Sequence, residues 1–313
     1  MAFLQTFINV VMIVVLAVPG FALRKARLLP DKAASVLAVV LLYVSQPFLM
    51  MSSLFDKAFE PSMLIDFLWV IVFAVALQLA VYFAAKLIFA KTKEDATRRA
   101  CVACSYLGNV GFMGIPVMQM LFPDNPEMIL YTVVYNIAFN AMTWTLGVFA
   151  VTGERKFVKP LKVILNPPTI AVIIALPLFF CNVTVPEQVM TPIRYLGDMT
   201  LPLSMIILGL RLADMRLISL VNDWKVYMVA FVKLIVSPLL CLGVLILCGL
   251  FLPIGRTVVI ALYIIAAMPT ASSALNFAEM YGGAKETAAA ATLMNTILCI
   301  ATIPILMLLT QFV

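Results

Sequence analysis

The stretch GNVGFMGIP, Gly108 to Pro116, lies in the middle of an apolar run from Cys101 to Phe122. Glycine and proline are poor residues for a helix interior, where they cost about 1 and about 3 kcal/mol relative to alanine. Such a stretch in a hydrophobic chain indicates a membrane helix that is interrupted near its centre. Interrupted backbone at that depth is tolerated only where it is buried in protein or lines a polar cavity.

The composition of the chain is typical of a membrane protein. Hydrophobic residues make up 64% of the 313 residues, charged residues only 12%, and the mean hydropathy is +1.11. A bilayer core about 30 Å thick needs roughly 20 apolar residues per helix, so the chain can hold about ten membrane helices. This excludes a soluble enzyme and a nucleic-acid-binding protein, and we attribute the net charge of +6 to membrane orientation.

Residue types that catalysis or metal binding would need are scarce. The chain has no histidine, and its six cysteines lie in or beside apolar segments, which favours packing over a disulfide or metal framework. Cys101 and Cys104 form a CxxC pair without a second pair, so we predict no metal and no cofactor. An intramembrane hydrolase would need an aspartate pair, a serine–histidine dyad or an HExxH motif, and we predict no enzyme.

Ten apolar segments follow one another, and each is predicted to cross the membrane as a helix. Segments 1 to 5 cover residues 3–23, 33–54, 63–90, 100–122 and 128–151, and segments 6 to 10 cover 169–185, 190–213, 226–252, 257–278 and 287–312. Segment 7 contains Arg194 and Asp198, which we expect to form an i,i+4 pair near the outer interface.

Lysine and arginine are concentrated in alternate loops. The loops after odd-numbered segments carry Arg24, Lys25, Arg27, Lys32, Lys86, Lys91, Lys93, Arg98, Arg99, Arg155, Lys156, Lys159, Lys162, Arg211, Arg216, Lys225 and Lys285. The other loops carry only Lys57, Arg194 and Arg256. The positive-inside rule then places both termini outside the cell membrane, on the extracellular or periplasmic side.

The basic linker 152–168 separates a first half, residues 1–151, from a second half, residues 169–313. Each half has five segments, so the second half enters the membrane from the opposite side and any internal repeat must be inverted. Segments 4 and 9 correspond under that repeat, and segment 9 carries the comparable stretch AAMPTASSALNF, Ala266 to Phe277. We therefore predict an all-α membrane protein of ten helices in two inverted five-helix repeats, with helices 4 and 9 broken and crossing.

Two interrupted helices in corresponding positions are the best sequence indication of a transporter's binding site. Their half-helix N-termini present N–H groups and positive dipole ends to an anion. A proline kink with close glycine packing is the alternative interpretation, and it is the simpler one for a single interrupted helix. The predicted substrate-binding residues are Asn109, Gly111, Pro116, Asn136, Asn140, Pro269, Ser272, Ser273 and Asn276.

The two stretches resemble the fourth and ninth helices of the auxin efflux carrier family, which includes plant PIN-type carriers and bacterial permeases associated with malate or malonate. Asn109 stands seven residues before Pro116, as in the family's fourth helix. Pro269 is followed by FAEMY, Phe277 to Tyr281, where the family has a similar sequence. Pro304 also falls where the family has a proline.

This resemblance implies a scaffold of segments 1, 2, 6 and 7 that forms a homodimer, and a mobile transport domain of segments 3–5 and 8–10. The broken helices would cross at Pro116 and Pro269, with the substrate carboxylate beside the crossing and Asn109 and Asn140 as contacts. Met50 stands where the plant proteins have a scaffold serine, and the long central cytoplasmic loop is missing. A small carboxylate is therefore expected rather than an aromatic auxin.

Two charged residues lie within apolar segments. Asp66 is near the outer end of segment 3, where an interfacial position and a functional role are both open. By resemblance it matches an aspartate in the third helix of the plant carriers, which have a lysine four residues later where this chain has Val70. Lys233 lies deep in segment 8. Its ammonium either reaches the near interface along the helix or has a charge role in transport.

These features together predict a secondary active transporter of small organic anions that works by elevator-type alternating access. An anion channel and a membrane receptor or sensor for a carboxylate are the alternatives. The expected partners are the carboxylate, the lipid bilayer and a second copy of the chain, with no nucleic acid. Coupling to H⁺ or Na⁺, the direction of transport and the substrate itself stay open.

Overall fold

The computed structural model describes residues 2–158, 161, 165–214 and 223–312. Across these residues the chain is helical, and an isolated backbone bridge between Gly108 and Thr270 takes the place of any strand. Part of the predicted linker 152–168, with Lys159 and Lys162, lies outside the described residues, as does Arg216.

Seven helical stretches in the described part of the chain are long and apolar enough to cross a membrane. They are Phe7–Lys25, Ala33–Leu54, Met63–Ile88, Pro126–Thr152, Glu187–Asp214, Trp224–Gly249 and Lys285–Thr310. Three shorter apolar helices, Val110–Leu121, Pro167–Phe180 and Arg256–Ala266, account for the remaining predicted segments. Segments 4 and 9 fall short of that length because each is interrupted, and segment 6 because its helix has 14 residues.

Several segments are divided into successive helices. Segment 1 comprises Ala2–Val15 and Val18–Lys25, and segment 7 comprises Glu187–Asp198 and Thr200–Asp214. Segment 4 comprises Asp95–Tyr106 and Ile115–Leu121, and segment 9 comprises Arg256–Ala266 and Ser272–Tyr281. Segment 10 is Lys285–Met307, extended by a 3₁₀ turn at Leu308–Phe312, and a further 3₁₀ turn, Arg155–Phe157, follows segment 5.

Turns of π-helix interrupt segments 2, 4, 5 and 8, at Leu41–Ser45, Val110–Gly114, Thr143–Gly147 and Val232–Val236. In three of them the next helix has proline as its second residue, and these prolines are Pro47, Pro116 and Pro238. Proline lacks an N–H donor and displaces the helix carbonyl four residues earlier. A wider turn before the proline accommodates both effects without ending the helix.

Glycines set the closest helix contact, which joins segments 1 and 7. A Cβ atom on Gly209 would overlap the carbonyl oxygen of Ala17, and one on Gly20 would overlap that of Ile206. Only glycine allows two helix backbones to approach this closely. The contact holds Thr200–Asp214 against the rest of the chain, and this helix forms one wall of the cavity described below.

The segments pack in two groups. Segments 1, 2, 6 and 7 contact one another, and segments 3, 4, 5, 8, 9 and 10 form the second group. The main helix contacts between the groups are those of Ala2–Val15 with Lys285–Met307 and of Gln46–Leu54 with Pro126–Met142.

Arg194 has different partners from the predicted one. It pairs with Asp56 at 3.5 Å and with Glu187 at 3.3 Å rather than with Asp198, because Asp56 approaches from the loop after segment 2. Burial raises the pKa of the Asp56 carboxyl, and the positive charge of Arg194 opposes that shift. The arginine thereby compensates a partly buried carboxylate and ties segment 7 to that loop.

Candidate functional site

The interrupted parts of segments 4 and 9 are joined through their backbones. The N–H of Asn109 donates to the carbonyl of Pro269 at 2.7 Å, and the N–H of Ala271 donates to the carbonyl of Leu107 at 2.9 Å. Gly108 and Thr270 face each other in this antiparallel pair. The pairing satisfies backbone groups that a broken membrane helix would otherwise leave without partners.

Thr270 fastens the crossing from within. Its side chain is fully buried, and its hydroxyl donates to the carbonyl of Cys104 at 2.6 Å, near the end of the first helix of segment 4. The amide nitrogen of Asn295, from segment 10, donates in turn to the Thr270 hydroxyl. One hydroxyl thus connects three segments and satisfies a helix-end carbonyl.

Lys233 lies at the end of the first helix of segment 9. Its ammonium donates to the carbonyl of Ala266 at 3.3 Å, at the C-terminus of Arg256–Ala266, where the helix dipole favours a cation. The residue is only 3% exposed, and a Cβ on Gly108 would lie 3.1 Å from its Nζ. The ammonium therefore lies behind the crossing, inside the protein, and not at the membrane interface.

Pro116 lies beyond the crossing. The crossing occurs at Gly108 and Thr270 instead of at Pro116, because the π turn Val110–Gly114 separates the interruption from the proline. Pro116 follows at the start of the next helix and has no N–H to offer the carbonyl of Phe112. The hydroxyl of Ser204, from segment 7, lies 3.3 Å from that carbonyl and 2.8 Å from the carbonyl of Leu201 in its own helix, so the two carbonyls share its single proton.

A cavity of about 180 Å³ adjoins the crossing. Residues of segments 2, 4, 5, 7, 9 and 10 line it, and most of them are apolar, including Phe139, Trp144 and Leu208. Seven of the predicted site residues line this cavity: Asn109, Gly111, Asn136, Asn140, Ser272, Ser273 and Asn276. Pro116 and Pro269 are not among the lining residues, although Pro269 accepts the hydrogen bond from Asn109.

Several polar atoms of the cavity wall are buried and have no hydrogen-bond partner in the described part of the chain. They are Asn136 Oδ1, Asn140 Nδ2, Thr143 Oγ1, Arg211 Nη1 and Ser273 Oγ. Buried polar groups without partners are rare and costly in folded proteins. Their concentration in the wall of one cavity makes this cavity the candidate binding site.

Segments 2 and 5 meet beside the interruption of segment 4. The amide nitrogen of Asn136 donates to the sulfur of Met50 at 3.3 Å. A Cβ on Gly111 would overlap the amide nitrogen of Gln46 and lie 3.2 Å from the nitrogen of Asn136. Gly111 therefore allows two side-chain amides to approach the backbone of segment 4, and Gln46 is a lining residue that sequence analysis did not identify.

Arg211 is the most important lining residue that sequence analysis missed. We expected it in the loop after segment 7, but it lies inside the helix Thr200–Asp214 and lines the cavity. Its Nη2 donates to Oδ1 of Asn276 at 2.9 Å. It is the one charged residue among the described residues that line the cavity. Its position within LGLRLAD, one turn before Asp214, was the available signal.

Asp66 lies apart from the cavity. Its carboxylate accepts a hydrogen bond of 2.7 Å from the hydroxyl of Tyr131, which joins segment 3 to segment 5. Asp66 is in the first turn of Met63–Ile88, where the helix dipole stabilises a negative charge. In this structure Asp66 therefore connects the ends of two neighbouring helices.

Comparison with known proteins agrees with the motifs around the crossing. A transporter of Methanocaldococcus jannaschii, itself uncharacterized, is 25% identical over 241 residues, which are 73% of this chain and 75% of the relative. The sequence model of the membrane transport protein family, which is the auxin efflux carrier family, matches residues 5–160 and 155–307. With its seven long apolar helices, the chain is a multi-pass membrane protein. It belongs to the auxin efflux carrier family of membrane transport proteins, as the motifs around Asn109 and Pro269 predict.

Proposed function

We propose that this membrane transporter is a secondary active carrier of small organic anions, with carboxylates as substrates. The observation that carries the proposal is the cavity beside the crossing, where one arginine and several unpartnered polar atoms converge. Arginine and amide N–H groups are suited to carboxylate oxygens, and half-helix N-termini add positive potential. Apolar side chains line the rest of the cavity and suit the carbon skeleton of such a substrate.

We further propose the ten-helix architecture of two inverted five-helix repeats. Its support is that the interruptions fall in segments 4 and 9, which correspond under the repeat. The two interrupted stretches also run antiparallel where they bond, as an inverted repeat requires. Segments 4, 6 and 9 would then cross the membrane with the help of their neighbours, since their helices are short.

Elevator-type movement is proposed on the basis of the two packing groups. Segments 1, 2, 6 and 7 would form the scaffold and the dimer contact, and segments 3–5 and 8–10 would carry the substrate. The side-chain hydrogen bonds that join the two groups near the cavity are those of Ser204 with Phe112, Arg211 with Asn276 and Asn136 with Met50, within the described residues. A boundary crossed by few side-chain hydrogen bonds at the cavity suits the sliding of one group past the other.

The cavity opens, on this proposal, toward the cytoplasm. Ala38, Arg211 and Met280 line it, and each lies near a helix end that the distribution of basic residues assigns to the inner side. The arrangement therefore corresponds to an inward-facing state. A step that exposes the same residues to the opposite side would complete alternating access.

Transport by purified protein in proteoliposomes tests the proposal. We expect saturable uptake of a labelled carboxylate and accelerated exchange when the unlabelled compound is present inside. Flux that does not saturate and shows no counterflow would identify a channel, and binding without flux would identify a receptor. Repeating the assay with sodium or choline and with an imposed pH gradient identifies the coupling ion.

Site-directed labelling tests the orientation. In a cysteine-free background, Lys91→Cys and Lys156→Cys should react only with reagents that reach the cytoplasm. Asp124→Cys and Lys57→Cys should react with an impermeant maleimide added to intact cells. Reaction of the Lys156→Cys protein with that impermeant reagent would contradict the inverted arrangement.

A further inference from the structure

Arg211 differs from the other polar residues of the cavity because it carries a full positive charge. We propose that Arg211, positioned by Asn276, is the residue that binds the substrate carboxylate and determines selectivity for anions. This inference rests on the proposed function and assigns its charge recognition to one side chain. None of the sequence motifs around the crossing contains Arg211.

One terminal nitrogen of the Arg211 guanidinium is hydrogen-bonded, and the other has no partner among the described residues. Its Nη2 donates to Oδ1 of Asn276 at 2.9 Å, whereas its Nη1 is buried without a hydrogen-bond partner among the described residues. A guanidinium presents its donors in a planar fork that matches the two oxygens of a carboxylate. The bond to Asn276 therefore orients the fork, and a carboxylate that reached Nη1 would give that nitrogen its missing partner.

Asn276 is itself oriented by this bond. Arginine has only donors, so Asn276 must turn its carbonyl oxygen toward Arg211, and its amide nitrogen is left as a second donor. Ser273, three residues earlier on the same helix, lies on the same face and has a buried hydroxyl without a partner. Arg211, Asn276 and Ser273 together offer an anion three kinds of donor.

No carboxylate of the protein neutralises Arg211 in the described part of the chain. Glu279 lies near enough to favour its positive charge electrostatically, but Glu279 is exposed, and Arg211 has no ion pair among the described residues. A partly buried cation without an ionic partner is costly, and a bound anion removes that cost. The single positive charge of Arg211 thus matches the negative charge of one carboxylate group.

The pair also bridges two helices that belong to different packing groups. Arg211 is on Thr200–Asp214 of segment 7 and Asn276 is on Ser272–Tyr281 of segment 9. A carboxylate bound to both would keep its arginine contact only while the two helices stay close. Separation of the groups would then weaken binding and help release.

The test uses purified protein and a panel of malonate, succinate, butyrate and benzoate, each compared with its neutral carboxamide. For the acid that wild type binds, we expect Arg211→Met to weaken binding by about 30-fold or more and to remove the preference over the carboxamide. Arg211→Lys keeps the charge but not the fork, and should weaken binding by about tenfold. Arg194→Gln, in the same segment but paired with acids outside the cavity, is the matched control and should bind like wild type.

Asn276→Asp provides an independent test that does not depend on loss of the arginine. The new carboxylate would pair with Arg211 and take the place of the substrate, so binding should be lost while thermal stability is kept or raised. Wild-type affinity in a folded Arg211→Met or Asn276→Asp protein would overturn the assignment. If the unmodified protein neither binds nor transports any acid of the panel, the proposed function fails, and the assignment with it.

Discussion

The interruptions of segments 4 and 9 use their polar side chains in opposite ways. In segment 9, Thr270 is fully buried, and its hydroxyl is bonded to Cys104 and Asn295. In segment 4, Asn109 makes no capping bond and lines the cavity. At the crossing itself the two side chains therefore differ, since that of Thr270 bonds the neighbouring segments and that of Asn109 lines the cavity.

The backbone that follows the two interruptions also differs. Segment 9 resumes directly as a regular helix at Ser272, whereas segment 4 passes through a π turn before Pro116. Because Pro116 has no N–H, the carbonyl of Phe112 faces the hydroxyl of Ser204 from segment 7 instead. The break in segment 4 therefore extends from residue 107 to residue 114, whereas the break in segment 9 covers only residues 267–271.

The largest expected effect concerns substrate affinity and Asn109. A buried hydrogen bond to a charged group is worth about 1.5–3 kcal/mol, so Asn109→Ala should weaken binding by roughly 10- to 150-fold. Asn109→Asp should be worse because it places a negative charge beside the anion. Calorimetry measures both, with monodispersity as the folding control and Asn125→Ala, outside the cavity, as the matched variant. Unchanged affinity in folded Asn109→Ala protein would remove Asn109 from the binding site.

A change in stability without a change in binding chemistry is expected at Thr270. Thr270→Val leaves the carbonyl of Cys104 and the amide of Asn295 without their shared partner, and should lower the free energy of unfolding by about 1–3 kcal/mol. Thr132 is equally buried, but its hydroxyl bonds a carbonyl of its own helix that keeps its main-chain partner, so Thr132→Val leaves no group unpaired and should cost less than about 1 kcal/mol. Thermal unfolding of the two variants measures the difference. Equal losses would show that Thr270 does not fasten the crossing.

A smaller effect is expected at Lys233, behind the crossing. Lys233→Gln keeps a donor for the carbonyl of Ala266 but removes the positive charge, which we expect to lower transport by about threefold to tenfold with expression intact. Lys86→Gln, at the exposed end of segment 3, is the control. Transport equal to wild type in the Lys233→Gln protein would assign the lysine a purely structural part.

Much of this arrangement could be predicted from local sequence. Asn109, Ser272 and Asn276 stand within the two interrupted stretches, where poor helix formers in an apolar run indicate both the break and its polar lining. The asparagines of segment 5 were recognisable because amides in an apolar helix need a partner or a cavity. The family also followed from these motifs and is confirmed.

The remainder depends on pairings that are distant in sequence. The crossing lies at Gly108 and Thr270 because two backbones meet there, and the position of Pro116 gives no indication of that register. Arg211 resembled a loop cation because an apolar run ends beside it, and only packing against segment 9 brings it to the cavity. The partner of Asp66 is Tyr131, a contact between segments that no spacing within segment 3 could indicate.

The connection between the two interrupted segments has one consequence for mutagenesis. Two of its three donors, the N–H groups of Asn109 and Ala271, belong to the main chain, and the third is the Thr270 hydroxyl. An alanine scan around the crossing would therefore remove the Thr270 bond but leave both main-chain bonds in place. Only a proline at position 109 or 271, or an ester in place of one of those amides, would disconnect the two helices and measure what their union contributes.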